Sequence, residues 1–422
     1  MASLAFLGAP RADEGERRPR RSTTAHLVGE LSRAIESGQL QGGQRLPSSR
    51  DVADLVGVTR TTAERAYARL ATLGYVVRSP RSGTFVRRLA RTGANQSDAS
   101  WQRLAIVGEI SSPARSVLTH AYAGEGQEDF IPLANGWPDD RFLPTRACAA
   151  LVAEVFAELG GRALSFVPYV EGLPALREAI GKRGREQGFA REASEILVTS
   201  GASQAVDVVM RALVAPGEAV AIESPSASVL LSAAAAARAN VVPIPTDDDG
   251  LDIEYLEHQA VRHDVKLVAL QPSSQNPTGQ DLSEPRRELL LRLAARRNLL
   301  ILEDGVYADI RYDGTRRRRL RADAHVVYVD SISKSLGGGW RVGWIAASPL
   351  LLNRLQVAKL DGDATSPTLS QHVVARSLDA RLDEQHLQAA AAEYRVRRDA
   401  LIAGLREGFG ATLQVSVPKG GH

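Results

Sequence analysis

The chain has 422 residues, 44% hydrophobic and 24% charged, enough for two or three domains and too balanced in composition for a disordered or fibrous protein. No apolar run reaches the ~18 residues of a membrane span, and the single cysteine, Cys148, excludes an intramolecular disulfide and a cysteine-based zinc site, so no metal is expected and a reducing cytoplasm fits. The net charge of +3 hides an asymmetry: residues 1–100 carry 16 Arg and no Lys against 9 Asp and Glu, and the remainder carries 36 basic against 40 acidic residues, which points the front towards a polyanion.

Residues 1–21 end in RRPRR, have no apolar period and read as a mobile basic tail. From Ser22, Leu27, Leu31, Ala34 and Ile35 fall on one face of a predicted helix, with Gly38 as its stop. A second, short helix starts at Pro47-Ser48, with Ser48 as N-cap and Asp51 three residues on, and stops at Gly57. Thr59 caps a third helix that should bury Ala63, Ala66, Tyr67, Leu70 and Leu73 before Gly74. Tyr75-Val76-Val77 and Thr84-Phe85-Val86 flank Ser79–Gly83 as a two-stranded wing. Short helix, glycine turn and longer helix make helix-turn-helix organisation. A plain helical bundle would explain the buried positions. It would not explain Thr59-Arg60-Thr61-Thr62 at an exposed helix start or Arg81-Ser82-Gly83 at a wing tip, which suit phosphate and guanine contacts.

The LPSSR, GVTRTT and SGTFV blocks, in this order and spacing, resemble the winged helix-turn-helix of the GntR family of bacterial regulators. The resemblance implies a double-stranded DNA operator as partner, touched by Arg50, Arg60, Thr61 and Thr62, with Arg81, Ser82 and Gly83 entering the minor groove. Glu64 stands where some members place a further Arg. The winged module is expected over residues 22–88, followed by a linker over 89–125 that contains RTGANQSDAS.

The body, residues 126–422, alternates strands and helices. Strands are predicted at Ile196–Thr199, Ala219–Glu223, Val241–Ile244, Lys266–Gln271, Leu299–Glu303, Val326–Val329 and Trp344–Ala347, with helices such as Gln204–Val214 and Glu284–Arg297 between them. Such near-continuous apolar strands imply an α/β fold with a mostly parallel seven-stranded sheet covered on both faces. Ligands then bind at the carboxyl ends of the strands. Those ends carry Ser200-Gly201-Ala202-Ser203-Gln204, a small-residue turn opening a helix; Asn276 in a double-proline segment; Asp304 and Tyr307; and Ser331 to Lys334, followed by Gly337-Gly338-Gly339-Trp340-Arg341. Each residue alone has a bland structural explanation. Together they supply what pyridoxal 5'-phosphate needs: an amine for its aldehyde (Lys334), a carboxylate for its ring nitrogen (Asp304), donors for its ring oxygen (Asn276, Tyr307) and a phosphate cup (Ser331, Arg341, and the Ala202 and Ser203 amides).

The blocks TSGASQA, QNPTG, EDGVYADIRY and SISKSLGGGWRVGW make the body similar to the fold-type I aminotransferases, and the fusion of the two parts resembles the MocR family of regulators. The resemblance implies the Lys334 aldimine as a sensor for an amine or amino-acid effector, and a homodimer. Two departures stand out. Ala227 occupies the place of the aromatic residue that stacks on the pyridine ring, and the chain stops at Pro418-Lys419-Gly420-Gly421-His422, so that a C-terminal subdomain from about residue 355 reads as truncated and short of the Arg that grips a substrate carboxylate. The expected function is a cofactor-dependent, DNA-binding transcriptional regulator with no significant enzymatic turnover. An active aminotransferase carrying a DNA-binding module is the alternative, and a scaffold that only dimerises is a third reading.

Overall fold

The computed structural model describes residues 24–36, 39–79, 83–87, 133, 136–315, 319–320 and 324–422. The chain divides into two compact units, Met1–Glu109 and Ile110–His422. The expected tail 1–21, Arg81, Ser82 and the expected linker 89–125 lie outside the described residues.

In the first unit, helices α1 (Thr24–Glu36), α2 (Ser49–Val56) and α3 (Arg60–Thr72) enclose one core. Leu27, Leu31, Leu40, Val52, Ala63, Tyr67 and Leu70 are all buried there. The helix ends follow local chemistry. Ser48 and Asp51 form a reciprocal capping box on α2, which satisfies donors at the helix start. Gly57 closes α2 at φ 68°, a left-handed conformation that glycine adopts without a Cβ penalty. Thr59 caps α3 by accepting from the Thr62 amide.

Two expectations for this unit change. The wing is a three-stranded antiparallel sheet, because Arg45–Leu46 (β1) pairs with Gly83–Val86 (β3), which also pairs with Val76–Ser79 (β2). Two residues are too short a run to leave a period in the sequence. Leu73 is 47% exposed, because α3 has already ended at Thr72 and the chain turns before its side chain can reach the core.

The second unit is built on an eight-stranded sheet. Its strands are β4 (Ile196–Thr199), β5 (Ala219–Ser224), β6 (Asn240–Asp247), β7 (Gly250–Leu251), β8 (Leu267–Leu270), β9 (Leu300–Asp304), β10 (Val326–Ser331) and β11 (Gly343–Ala346). They lie in the order β4-β11-β10-β9-β8-β5-β6-β7. The run from β10 to β6 is parallel, whereas β11 is antiparallel to both of its neighbours. The seven expected strands are present. The eighth is the two-residue return β7, which closes a hairpin on β6.

Side chains alternate between the two faces. Val220 and Ile222 of β5 join Val206 and Val209 of helix α6 (Ala202–Leu213) in one cluster, with Leu352 and Leu355 of helix α10 (Pro349–Asp363). Ala219 and Ala221 face the other way, with Leu256 of helix α8 (Ile253–His263) and Leu290 of helix α9 (Glu284–Arg297). Each fully buried Val, Ile or Leu contributes ~1.5–3 kcal/mol, so both faces hold the strand ends rigidly.

Helices α4 (Thr145–Leu159), α5 (Pro174–Gln187), α7 (Ser228–Ala236), α11 (Thr368–Asp379) and α12 (Leu382–Phe409) complete the unit. Arg183 of α5 meets Asp383 at the start of α12 and Asp309 at 2.7 Å, and Arg319 meets Asp309 at 2.6 Å. This charge chain fastens the start of the C-terminal helix to α5 and to the segment between β9 and β10. Residues after α12 return beside the body, where the Tyr312 amide donates to the Lys419 carbonyl at 2.9 Å. Leu401, Phe409 and Val417 are 49%, 59% and 47% exposed. No helix among the described residues is long and apolar enough to cross a membrane.

Candidate functional site

The carboxyl ends of the parallel strands open into one cleft of about 910 Å³. Lys334, Asp304, Asn276, Tyr307, Arg341, Ser331, Ala202 and Ser203 all line it. Residues brought together from across the sheet thus face a single volume, within the range of small-molecule sites.

Lys334 sits in a short helical turn directly after β10. Its Nζ donates to the Gly136 carbonyl at 2.5 Å and lies 5.2 Å from the centre of the Tyr307 ring. Burial lowers its pKa from 10.5 to about 8, against the opposing pull of the Asp304 charge. An amine so tuned is partly neutral, and therefore nucleophilic, near physiological pH. Gly136 has no room for a side chain, because a Cβ there would lie 2.5 Å from the Tyr307 hydroxyl.

Asp304 ends β9 and is 2% exposed. Burial pushes its carboxyl above the usual range, and hydrogen bonds to the ionised form work against this. Gln271 Nε2 donates to Oδ2 at 2.8 Å, and the Val306 amide donates to Oδ1 at 3.3 Å. A desolvated carboxylate is costly without a cation, and a protonated pyridine nitrogen would be one. Burial also raises the Tyr307 hydroxyl to about 12, which keeps it a hydrogen-bond donor. Asn276 is exposed to the cleft, and its backbone amide donates to Gln271 Oε1 at 3.0 Å.

At the far end, Gly201 at φ 95° turns the chain into α6, whose first residues are Ala202 and Ser203. The unpaired first-turn amides of a 12-residue helix form an anion cup. Arg341 packs over this turn: its Nη2 donates to the Ser200 carbonyl at 2.7 Å, and a Cβ on Gly201 would come within 2.6 Å of it. The turn is also braced from behind. Ser200 Oγ donates to Asp363 at 3.0 Å, and Asp363 accepts from Lys359 Nζ at 2.8 Å. Ser331 is buried, and its Oγ accepts from the Ser333 amide at 3.3 Å. Ala227 also lines the cleft, so no aromatic ring projects from that position. The donor set fits pyridoxal phosphate: an amine, a counter-carboxylate, ring-oxygen donors and a phosphate cup, all facing one volume.

In the first unit, Arg50, Arg60 and Thr61 are exposed, on α2 and at the start of α3. Thr62 is partly turned inward, with its hydroxyl 2.8 Å from that of Thr59. Arg60 Nε donates to Glu64 Oε1 at 2.9 Å, one helical turn on. Gly83 opens β3 at φ 111°. The Arg45 guanidinium packs against Gly83, so that a Cβ there would lie 3.0 Å from Arg45 Nε.

Sequence reasoning passed over three residues here. Gln271 closes a predicted strand, so the strand-end rule pointed at it. Gly136 belongs to no motif. Arg45 gave no signal, because β1 itself was not anticipated.

Comparison with known proteins matches two families to the chain. The family model for "Aminotransferase class I and II" matches residues 128–421, and that for "Bacterial regulatory proteins, gntR family" matches residues 23–86. The chain is 31% identical over 302 residues to aromatic-amino-acid aminotransferase 1 of Thermococcus litoralis, covering 69% of this chain and 72% of that protein. It is 27% identical over 419 residues to the uncharacterized HTH-type transcriptional regulator YdfD of Bacillus subtilis, covering 98% of this chain and 86% of that one. Among solved structures, Pyrococcus horikoshii kynurenine aminotransferase in complex with PMP has a TM-score of 0.69 at 29% identity, over 76% of this chain and 80% of that one. Thermus thermophilus LysN, an alpha-aminoadipate aminotransferase complexed with N-(5'-phosphopyridoxyl)-L-leucine, has a TM-score of 0.68 at 28% identity, over 76% and 81%. Pyridoxal phosphate is the cofactor of this domain. The chain belongs to the aminotransferase class I and II family and, with a gntR-family module ahead of that domain, has the architecture of the MocR-type transcriptional regulators.

Proposed function

We propose that this regulator reads a small amine or amino acid through Lys334 and passes the result to its binding of a duplex operator, in the cytoplasm and as a homodimer. The observation that carries the reading is the pairing, in one chain, of a complete cofactor donor set lining a single cleft with a helix-turn-helix whose Arg50, Arg60 and Thr61 stand exposed. When bound, pyridoxal phosphate supplies an aldehyde that takes primary amines.

The protein's own residues do the rest. Lys334 presents a partly neutral Nζ, and capture would release its proton and its bond to the Gly136 carbonyl. Asp304 provides a buried negative charge for the ring nitrogen. Tyr307 and Asn276 would hold the ring oxygen, and Ser331 and Arg341 with the Ala202 and Ser203 amides would hold the phosphate. The cleft has volume beyond these contacts for a second small molecule. On the DNA side, Arg60 and Thr61 would face base edges and phosphates from the start of α3, with Arg50, Thr62, Arg81, Ser82 and Gly83 alongside.

The test combines two readouts on one sample: visible absorbance on adding a panel of amines and amino acids, and operator affinity by gel shift at fixed salt. An amine that changes both supports sensing. Amines that change absorbance while leaving DNA affinity constant across the panel refute it. Likeness to aminotransferases supports a second reading, turnover. Rapid, complete single-turnover conversion of the bound cofactor to its pyridoxamine form would favour it.

A further inference from the structure

We propose that Gln271 is the positioning residue of the cofactor site: its side-chain amide ties the Asp304 carboxylate and the Asn276 loop into one frame, leaving one Asp304 oxygen for the ring nitrogen. The inference rests on the cofactor reading above and goes beyond it in assigning a residue that does not contact the reacting atoms.

Gln271 follows β8 directly and is 3% exposed. Its amide is used at both ends. Nε2 donates to Asp304 Oδ2 at 2.8 Å, and Oε1 accepts from the Asn276 amide at 3.0 Å. Its own backbone amide donates at 2.8 Å to Oε1 of Glu223, which lies on β5 and is 3% exposed. One residue therefore joins the ends of β5, β8 and β9 to the segment carrying Asn276. With both side-chain bonds made, the amide orientation is fixed, because a flipped amide would set oxygen against carboxylate and N–H against N–H.

This arrangement divides the two oxygens of Asp304. Oδ2 is held by the shorter bond, and Oδ1 keeps only the 3.3 Å contact from Val306. Oδ1 is thus the oxygen with free acceptor capacity. The donation also favours the ionised form of a carboxyl that burial would otherwise neutralise. Glu223 works the other way, because burial, opposed by hydrogen bonds from Gln271 and Gln275, raises it to about 8 and keeps it largely uncharged at neutral pH. A neutral Glu223 does not compete with Asp304 for the positive ring. The other ionisable groups facing Asp304 are Lys334 and Tyr307, and His422, whose ring lies 6.1 Å from that of Tyr307, is lowered by burial to about 4 and stays neutral beside Lys334 across the range of the test.

The experiment uses the full chain loaded with pyridoxal phosphate. Gln271→Met keeps the length of the side chain and removes the amide. Cofactor affinity is expected to fall about tenfold, the loss of a hydrogen bond to a charged group. The pH midpoint of the visible absorbance should rise by about one unit, because a ring nitrogen with a weaker counter-charge carries less positive charge and competes less with the proton at Lys334 Nζ. In an Asp304→Asn background the same substitution should leave that midpoint unchanged, a coupling that a merely structural role would not produce.

Gln271→Leu, which removes both hydrogen-bonding ends of the amide and keeps an apolar side chain of similar bulk, should shift the midpoint in the same direction. It serves as the reporter if Gln271→Met does not fold. Wild-type affinity and midpoint in whichever variant folds would overturn the assignment, as would failure of both variants to fold even with cofactor present, since the residue would then be holding the sheet itself. A wild-type protein with no visible band would instead overturn the cofactor reading.

Discussion

The two candidate sites solve opposite physical problems. At the start of α3 the functional side chains stand in water: the side chain of Arg60 is 71% exposed and that of Glu64, its ion-pair partner, is 42% exposed. In the cleft, Asp304 is 2% exposed, and Lys334 has lost enough hydration to lower its pKa to about 8. Exposed charges act through long-range, salt-screened attraction and can be replaced without disturbing the fold. Buried charges depend on one another, so removing one alters the protonation of the next. The first arrangement suits a partner whose charge is spread along a backbone. The second suits a ligand that must be oriented to a fraction of an ångström.

The sharpest test of this contrast is Lys334→Ala. It should abolish all borohydride-fixed cofactor while leaving operator binding in the absence of effector intact, checked by peptide mapping and gel shift. An adduct on Lys182, Lys266, Lys359 or Lys419 instead would break the assignment. In the wild type, the rate of cofactor capture should rise with pH to a midpoint of about 8, not the 10.5 of an exposed amine, because the neutral amine is the attacking form. A stopped-flow pH series reads this directly.

Asp304→Asn comes next. It should weaken cofactor binding by ~10–100-fold, measured by absorbance titration, with far-ultraviolet circular dichroism unchanged. On the exposed side, Arg60→Ala should cost ~1–3 kcal/mol of specific DNA binding if it reads a base. The cofactor spectrum should stay as it was. The smallest effect belongs to Glu64→Gln. An exposed i,i+4 pair is worth only ~0.3–0.5 kcal/mol, so releasing Arg60 and removing a negative charge should raise operator affinity about twofold and steepen its salt dependence slightly. A loss of affinity would mean that Glu64 holds Arg60 in its reading position.

Much of this was legible in the sequence because the relevant signals are local. Apolar runs at Ile196–Thr199 or Val326–Val329 mark buried strands without reference to anything distant, and the strand-end rule then points to Asp304 and Lys334. Caps at Ser48 and Thr59 are decided within four residues. What escaped depends on partners far apart in the chain. The Gly136 carbonyl meets Lys334 across 198 positions, and Gln271 acts through groups on three elements. The short strands Arg45–Leu46 and Gly250–Leu251 form only because a neighbouring strand offers an edge. Leu73 looked apolar enough for the core, but the end of α3 leaves it in solvent.

The chain has only five lysines among its 52 Lys and Arg residues, a feature with a practical consequence for protein chemistry. Acylating reagents modify neutral amines and leave guanidinium groups alone. Lys359 is fully buried and bonded to Asp363, and Lys266 is held charged by its contact with Asp264. Lys334 opens onto a 910 Å³ cleft with a pKa of about 8. At neutral pH about one Lys334 in ten is neutral, against fewer than one in a thousand for an amine of ordinary pKa. Among the lysines, mild acylation of the cofactor-free protein should therefore mark Lys334 first, and bound pyridoxal phosphate should protect it, giving a mass-spectrometric footprint of site occupancy that requires neither DNA nor a known effector.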